Sequence, residues 1–239
     1  MKHGPYIVVG LLLAAATSWS SIILAPVIQW NDLQPFKDDT TGALYPARRP
    51  GLAEQGLEVF RAQGCFHCHS QNVRSAVVSS DLKQGLGARR TVALDFLYDR
   101  VVMPGEVRSG PDLANFGARA RKGQGADTNA LVSSVLARLY NPQSKSPDSM
   151  MPRYPWLFEI RPKGSISDPL AIKPESGVKL GAGEELVPKP EAIALAHYLL
   201  SLDSNVSIFE APIPAPPKPK ATTNEVAAGG GATNVTSKP

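Results

Sequence analysis

Five consecutive residues constrain this chain more than any other part of it: Cys65-Phe66-His67-Cys68-His69. They hold both of its cysteines. Two thiols separated by two residues, with a histidine directly after the second, form the attachment pattern of a c-type haem. Each thiol can add across one vinyl group, and His69 then lies under the iron as the proximal ligand. The two-residue gap is one tight turn, which sets both sulfurs along one edge of a flat macrocycle. Two other chemistries use similar residues. A C-x-x-C redox centre opens a helix after a strand, and no run of β-branched residues precedes Cys65. A structural zinc site needs four ligands, and beyond His67 and His69 the chain has only His3 and His197. Covalent haem c, one per chain, is the cofactor the pattern supports best.

Residues 6–28 carry no charged side chain. That length crosses a bilayer core, which needs ~20 apolar residues. Lys2 and His3 precede the stretch, and Trp30 stands at its far edge as an interfacial aromatic. A cleaved signal peptide is the competing reading, but Trp19 and Pro26 intrude where small residues belong. A retained anchor over residues 5–29 is expected. Since c-type haem is attached on the oxidising side, the expected location is the cell inner membrane, with the haem domain facing the periplasm.

The formal net charge is +4, and haem propionates would lower it. No dense Lys/Arg stripe is present, so a nucleic-acid partner is not expected. Residues 30–50 read as a linker broken by Pro35, Pro46 and Pro50. Residues 51–208 suffice for one domain, interrupted by a Gly/Pro/Ser-rich insertion at about 159–187. Residues 209–239 form a Pro/Ala/Gly-rich tail that cannot bury enough apolar area to offset its chain entropy, and disorder is expected there.

Helical spacing of Leu52, Gly56, Val59 and Phe60 predicts a helix leading into the cysteines. Pro190 opens another, with Ile193, Ala196, Leu199 and Leu200 on one face. Gly56 would let these two helices approach closely, with Phe60 and Tyr198 around the contact. A helix over residues 91–102 is expected to turn Val92, Phe96 and Leu97 inward. Asp127 is a plausible N-cap for a helix carrying Leu131, Val135, Leu136 and Leu139, stopped at Asn141-Pro142. The fold class is therefore mainly α: one N-terminal transmembrane helix, then a class I-like monohaem cytochrome c domain.

The iron needs a sixth ligand or an open position. Met1 lies in the wrong compartment, and His67 sits inside the thioether loop. His197 reads as surface or packing, and Met103 falls near the proximal side. Met150 and Met151 lie in a polar loop after the third helix, next to Pro152, Tyr154 and Trp156. A methionine ligand raises the potential and suits electron transfer.

In order and spacing, several segments resemble a known family: Cys65 through Arg74, Tyr98-Asp99, Ser109-Gly110-Pro111-Asp112-Leu113, Asn141-Pro142 and Met151-Pro152-Arg153-Tyr154-Pro155-Trp156-Leu157. The sequence looks like the membrane-anchored monohaem subunit (subunit II, FixO/CcoO) of cbb-type, or C-family, haem-copper cytochrome c oxidases. The resemblance implies Met151 as the distal ligand. Gly110-Pro111 resembles the cytochrome c loop whose proline carbonyl accepts from the proximal histidine. Arg74 is a candidate partner for a haem propionate, and Tyr154 and Trp156 are candidates for packing on the haem edge. Residues 75–90 lack the aromatic and histidine character of typical members.

The resemblance implies a chain with no catalytic centre of its own. It would take electrons from another c-type cytochrome and pass them to the catalytic haem-copper oxidase subunit. An independent membrane-tethered shuttle is the alternative.

Overall fold

The computed structural model describes residues 3–38, 41–125, 127–172 and 180–213. Residues 173–179 of the expected insertion and 214–239 of the expected tail lie outside the described residues.

The apolar N-terminus forms one continuous helix, Gly4–Asn31, of 28 residues and mean hydropathy 2.1, long and apolar enough to cross a membrane. It comprises α1 (Gly4–Trp19), a π-helical turn (Ser20–Leu24) and α2 (Ala25–Asn31). The widened turn has a local cause. Pro26 has no N–H, and its ring would crowd the carbonyl one turn back in a regular helix. None of this helix is buried against the rest of the chain.

Two helices cross at the centre of the domain. α3 (Gly51–Ala62) buries Ala53, Gly56, Leu57 and Phe60. α7 (Pro190–Ser201) starts with its proline in the first turn and buries most of its length, from Ala192 to Leu200. A Cβ on Gly56 would lie 2.0 Å from the Ala194 carbonyl oxygen, so only glycine permits this approach. Phe60 and Tyr198 pack beside it, ring centroids 5.4 Å apart. Leu52, expected on the inner face, is 41% exposed, and Ala53 and Leu57 pack in its place. α6 (Thr128–Tyr140) is capped by Asp127, whose carboxylate accepts from Asn129 N at 3.0 Å. Its buried residues include the four expected leucines and valines.

The helix expected over residues 91–102 is instead a single 3-10 turn, Ala93–Phe96. Leu94 rather than Phe96 is buried there. Asp95 explains the short turn: its carboxylate accepts from Val92 N at 2.9 Å and is gripped by Arg89 at 2.7 and 2.9 Å. That grip turns the segment inward before a second helical turn forms. The expectation also passed over α5 (Phe116–Gln124), which is rich in Arg, Lys and Gly.

Part of the stretch expected as a linker packs on the domain. β1 (Phe36–Lys37) pairs antiparallel with β2 (Leu44–Tyr45). The Tyr45 hydroxyl donates to Asp95 at 2.6 Å. Phe36 packs on a second small core of Val92, Leu94, Ile208 and Ala211. The insertion folds in part as an antiparallel hairpin of β3 (Phe158–Pro162) and β4 (Glu184–Pro188), in register from Phe158↔Pro188 to Pro162↔Glu184. Leu186 and Val187 are buried, which ties the hairpin to the domain.

Candidate functional site

Gly64 ends α3 in the left-handed region, φ +68°, and turns the chain directly into α4 (Cys65–Cys68). That one helical turn sets both sulfurs on the wall of a cavity of about 770 Å³. His69 follows in extended backbone and lines the same wall. Its Nδ1 lies 2.8 Å from the Pro111 carbonyl oxygen. A carbonyl only accepts, so Nδ1 carries a proton, and the neutral ring then has its lone pair on Nε2. Gly110 makes this packing possible: a Cβ there would fall 2.3 Å from the His69 ring.

Cys65 is half-buried and packs against the main core, whereas Cys68 is exposed. Burial pushes the Cys65 thiol up to about 11, and the Tyr154 hydroxyl is its hydrogen-bond partner. Burial also lifts that tyrosine to about 12. A thiol held so far above neutrality is a weak nucleophile at Cys65. Among the described residues no group of three or more His, Cys, Asp and Glu is arranged to hold a metal ion.

The remaining walls are largely apolar and come from distant parts of the chain. α3 and α7 supply Phe60, Leu195 and Leu199. α6 supplies Leu131, Val135 and Leu139 at helical spacing. The loop after α6 supplies Met150 and Met151. Met150 is 85% exposed. Met151 is half-buried against the main core, and its carbonyl accepts from Gln143 Nε2 at 3.0 Å. Met103 is buried elsewhere and does not line the cavity.

Two sequence candidates stand apart from this assembly. The Arg74 side chain is exposed and does not line the cavity. Trp156 is 54% exposed and also off the wall, where its indole N–H donates to Gln63 at 2.9 Å. It packs against Tyr154 of the cavity wall, with ring centroids 5.3 Å apart. The guanidinium groups that do line the cavity are Arg119 on α5 and Arg138 on α6. Arg119 donates to the carbonyls of Leu86 at 2.8 Å and Asp112 at 2.7 Å. Burial lowers its pKa. Sequence reading missed Arg119 because α5 is short and polar on average, with Phe116 and Ala120 its small contribution to the core. Arg138 was discoverable: it lies seven residues after Leu131, on the face of α6 that also carries Val135.

The family model described as cytochrome c oxidase, mono-heme subunit/FixO matches residues 43–181. The chain belongs to the FixO family. The match runs from the edge of β2 through the cysteines, the Pro111 loop, Met151 and β3, leaving α7 and the N-terminal helix outside it. A search of curated proteins finds no match. FixO membership makes this chain a monohaem subunit of a cytochrome c oxidase, with an electron-transfer role and other oxidase subunits as its partners. It also implies a haem cofactor, and the cavity fits one. A largely apolar space holds two cysteines and a histidine on one wall and two thioethers on another.

Proposed function

We propose that this chain carries one covalently attached haem c and relays electrons from another c-type cytochrome to the oxygen-reducing haem-copper subunit. The observation that carries this reading is the convergence of Cys65, Cys68, His69 and Met151 on a single apolar cavity. Cys65 and Cys68 would form the thioethers. His69 would be the proximal iron ligand and Met151 the distal one. Met151 is preferred because it is packed against the core while Met150 faces solvent. The haem supplies a one-electron Fe(III)/Fe(II) couple when bound.

The chain's own residues set the conditions for that couple. The Pro111 carbonyl fixes the His69 tautomer and makes the ring a stronger donor. The leucines and valines of α6 and α7 exclude water, which lowers the reorganisation each electron transfer requires. Tyr154, beside Cys65, closes the cavity wall. Arg119 and Arg138 would hold the propionates, since a guanidinium matches a planar carboxylate and offsets its desolvation. Neither arginine is in an ion pair with a carboxylate among the described residues, and the Leu86 and Asp112 carbonyls hold Arg119 at the cavity wall.

The Gly4–Asn31 helix would anchor the domain in the cell inner membrane, with the cavity on the periplasmic side. Support for the anchor comes from the helix's length and its lack of any packing on the domain.

The test is purification of the tagged chain from its own membranes in mild detergent, with redox difference spectra of the eluate. Haem c together with haem b, and oxygen uptake on adding reductant, is the expected result. Haem c alone would favour the tethered shuttle, and no covalent haem in a denaturing gel would overturn the whole reading.

A further inference from the structure

The Pro111 carbonyl and the His69 ring belong to separate segments, and an unusual cluster holds those segments together. Arg108 opens the loop that carries Pro111. It stands in the left-handed region at φ 54°, alone in this among the described non-glycine residues. A long side chain stays there only where its surroundings over-determine the conformation. Those surroundings are specific. Arg108 Nε donates to Ser70 Oγ at 2.6 Å. Its Nη2 reaches the Asn72 carbonyl at 3.0 Å, Asp81 Oδ2 at 2.8 Å and Asp112 Oδ2 at 3.3 Å.

Asp112 is buried and accepts on both oxygens. Oδ2 takes Ser70 Oγ and Asn72 N, each at 2.7 Å, and Oδ1 takes Ala114 N at 2.9 Å. Two backbone bonds run alongside: Gly110 N to the Cys68 carbonyl at 3.0 Å, and Leu113 N to the Ser70 carbonyl at 2.8 Å. Every one of these contacts joins residues 68–72, which include His69, to residues 108–114, which include Pro111, or braces that junction.

We propose that Arg108, Asp112 and Ser70 form a clamp that positions the His69–Pro111 hydrogen bond and thereby holds the potential of the haem down. This rests on His69 being the proximal ligand. A firm Nδ1–H···O=C bond makes the imidazole a stronger donor, which favours ferric iron. Loosening the clamp weakens that donation, and the potential rises. Arg108 and Asp112 act through the loop and touch neither iron nor porphyrin, so they are positioning residues.

Charge alone predicts something different, and the difference is the test. In the full-length haem-loaded chain in detergent, Asp112→Asn removes an anion and Arg108→Gln removes a cation. Through-space electrostatics would move their midpoint potentials in opposite directions. The clamp moves both upward. Arg108→Lys keeps the charge but cannot fork between Ser70 and the two carboxylates, so it too raises the potential. Exchange of the His69 Nδ1 proton, followed by NMR in the ferrous state, should quicken about tenfold in all three, as local opening becomes easier. If Asp112→Asn fails to take up haem, Ser70→Ala is the gentler variant and is expected to shift upward as well. Shifts of opposite sign, or an unmoved Ser70→Ala, overturn the clamp. A wild-type chain lacking covalent haem or a low-spin spectrum would overturn the haem reading instead, so the two failures are distinguishable.

Discussion

Met150 and Met151 are neighbours in sequence with opposite surroundings. The first is 85% exposed, and the second packs on the core around the cavity. A ligand must be held, and only Met151 is. Met151→His is therefore expected to lower the midpoint potential while covalent haem remains, because imidazole favours ferric iron more than a thioether does. Met150→His is expected to leave the potential near wild type. Spectroelectrochemical titration decides, and the reverse pattern would make Met150 the ligand. Residue-scale legibility in this chain follows from how local the chemistry is. Cys65, Cys68 and His69 lie within one turn, so their spacing alone singles them out as candidates. The Pro111 contact spans 42 residues, and it was reachable only by resemblance to a known loop. Arg74 is a candidate because a guanidinium suits a propionate, but its side chain lies off the cavity wall. The fold instead brings Arg119 and Arg138 to the cavity from helices far along the chain.

Among the elements, α3 and α7 were legible because their apolar spacing is regular and a glycine stands at the crossing. The obstacle behind Gly56 is backbone, the Ala194 carbonyl, which cannot rotate away as a side chain would. Overpacking of this kind costs about 1–3 kcal/mol. Gly56→Ala should thus lower the thermal midpoint of the haem-loaded domain by several degrees, read by circular dichroism, and an unchanged midpoint would mean the helices do not meet as described. α5 and the 3-10 turn were not legible for a shared reason: tertiary contacts, and not periodicity, decide them. In α5, a Cβ at Gly117 would strike the Leu200 carbonyl at 2.1 Å, and Gly117 N donates to the Leu202 carbonyl at 2.9 Å. At the 3-10 turn, the Arg89–Asp95 pair is nearly sealed, with side chains 1% and 3% exposed. It also anchors Tyr45 of β2 through that residue's hydroxyl. Asp95→Ala would leave a buried guanidinium without its carboxylate, a loss of about 3–5 kcal/mol. Limited proteolysis should then cut within residues 41–49 faster than in wild type. The double change Arg89→Met, Asp95→Leu should restore much of the stability while leaving Tyr45 unpaired.

For the molecule as a whole, the division into a long apolar helix and one helical domain was readable from composition, because a charge-free stretch and amphipathic spacing are gross signals. How the domain is closed was not readable. Both cysteines are free, and the apolar core is joined by ion pairs between separate segments, Arg49–Asp99 and Arg108–Asp81, whose partners composition cannot match. This gives the molecule a defined response to acid. Burial pushes the Asp81 carboxyl up, but hydrogen bonds from Arg108, Ser79 and the Arg74 N–H outweigh it, and the net pKa lies below the ordinary 3.8. The folded state therefore holds this carboxylate ionised where the unfolded chain would begin to protonate it. Its contribution to stability is complete above the unfolded value, ~3.9, and is lost as pH falls through the lower, folded one. Above that window, Asp81 adds no pH dependence. Thermal midpoints of the haem-loaded chain should accordingly fall on acidification below about pH 4. Asp81→Asn should start lower and fall less steeply over the same range. Parallel curves for the two proteins would mean that Arg108 does not hold Asp81 ionised, and that the junction between residues 68–72 and 108–114 draws its acid sensitivity from elsewhere.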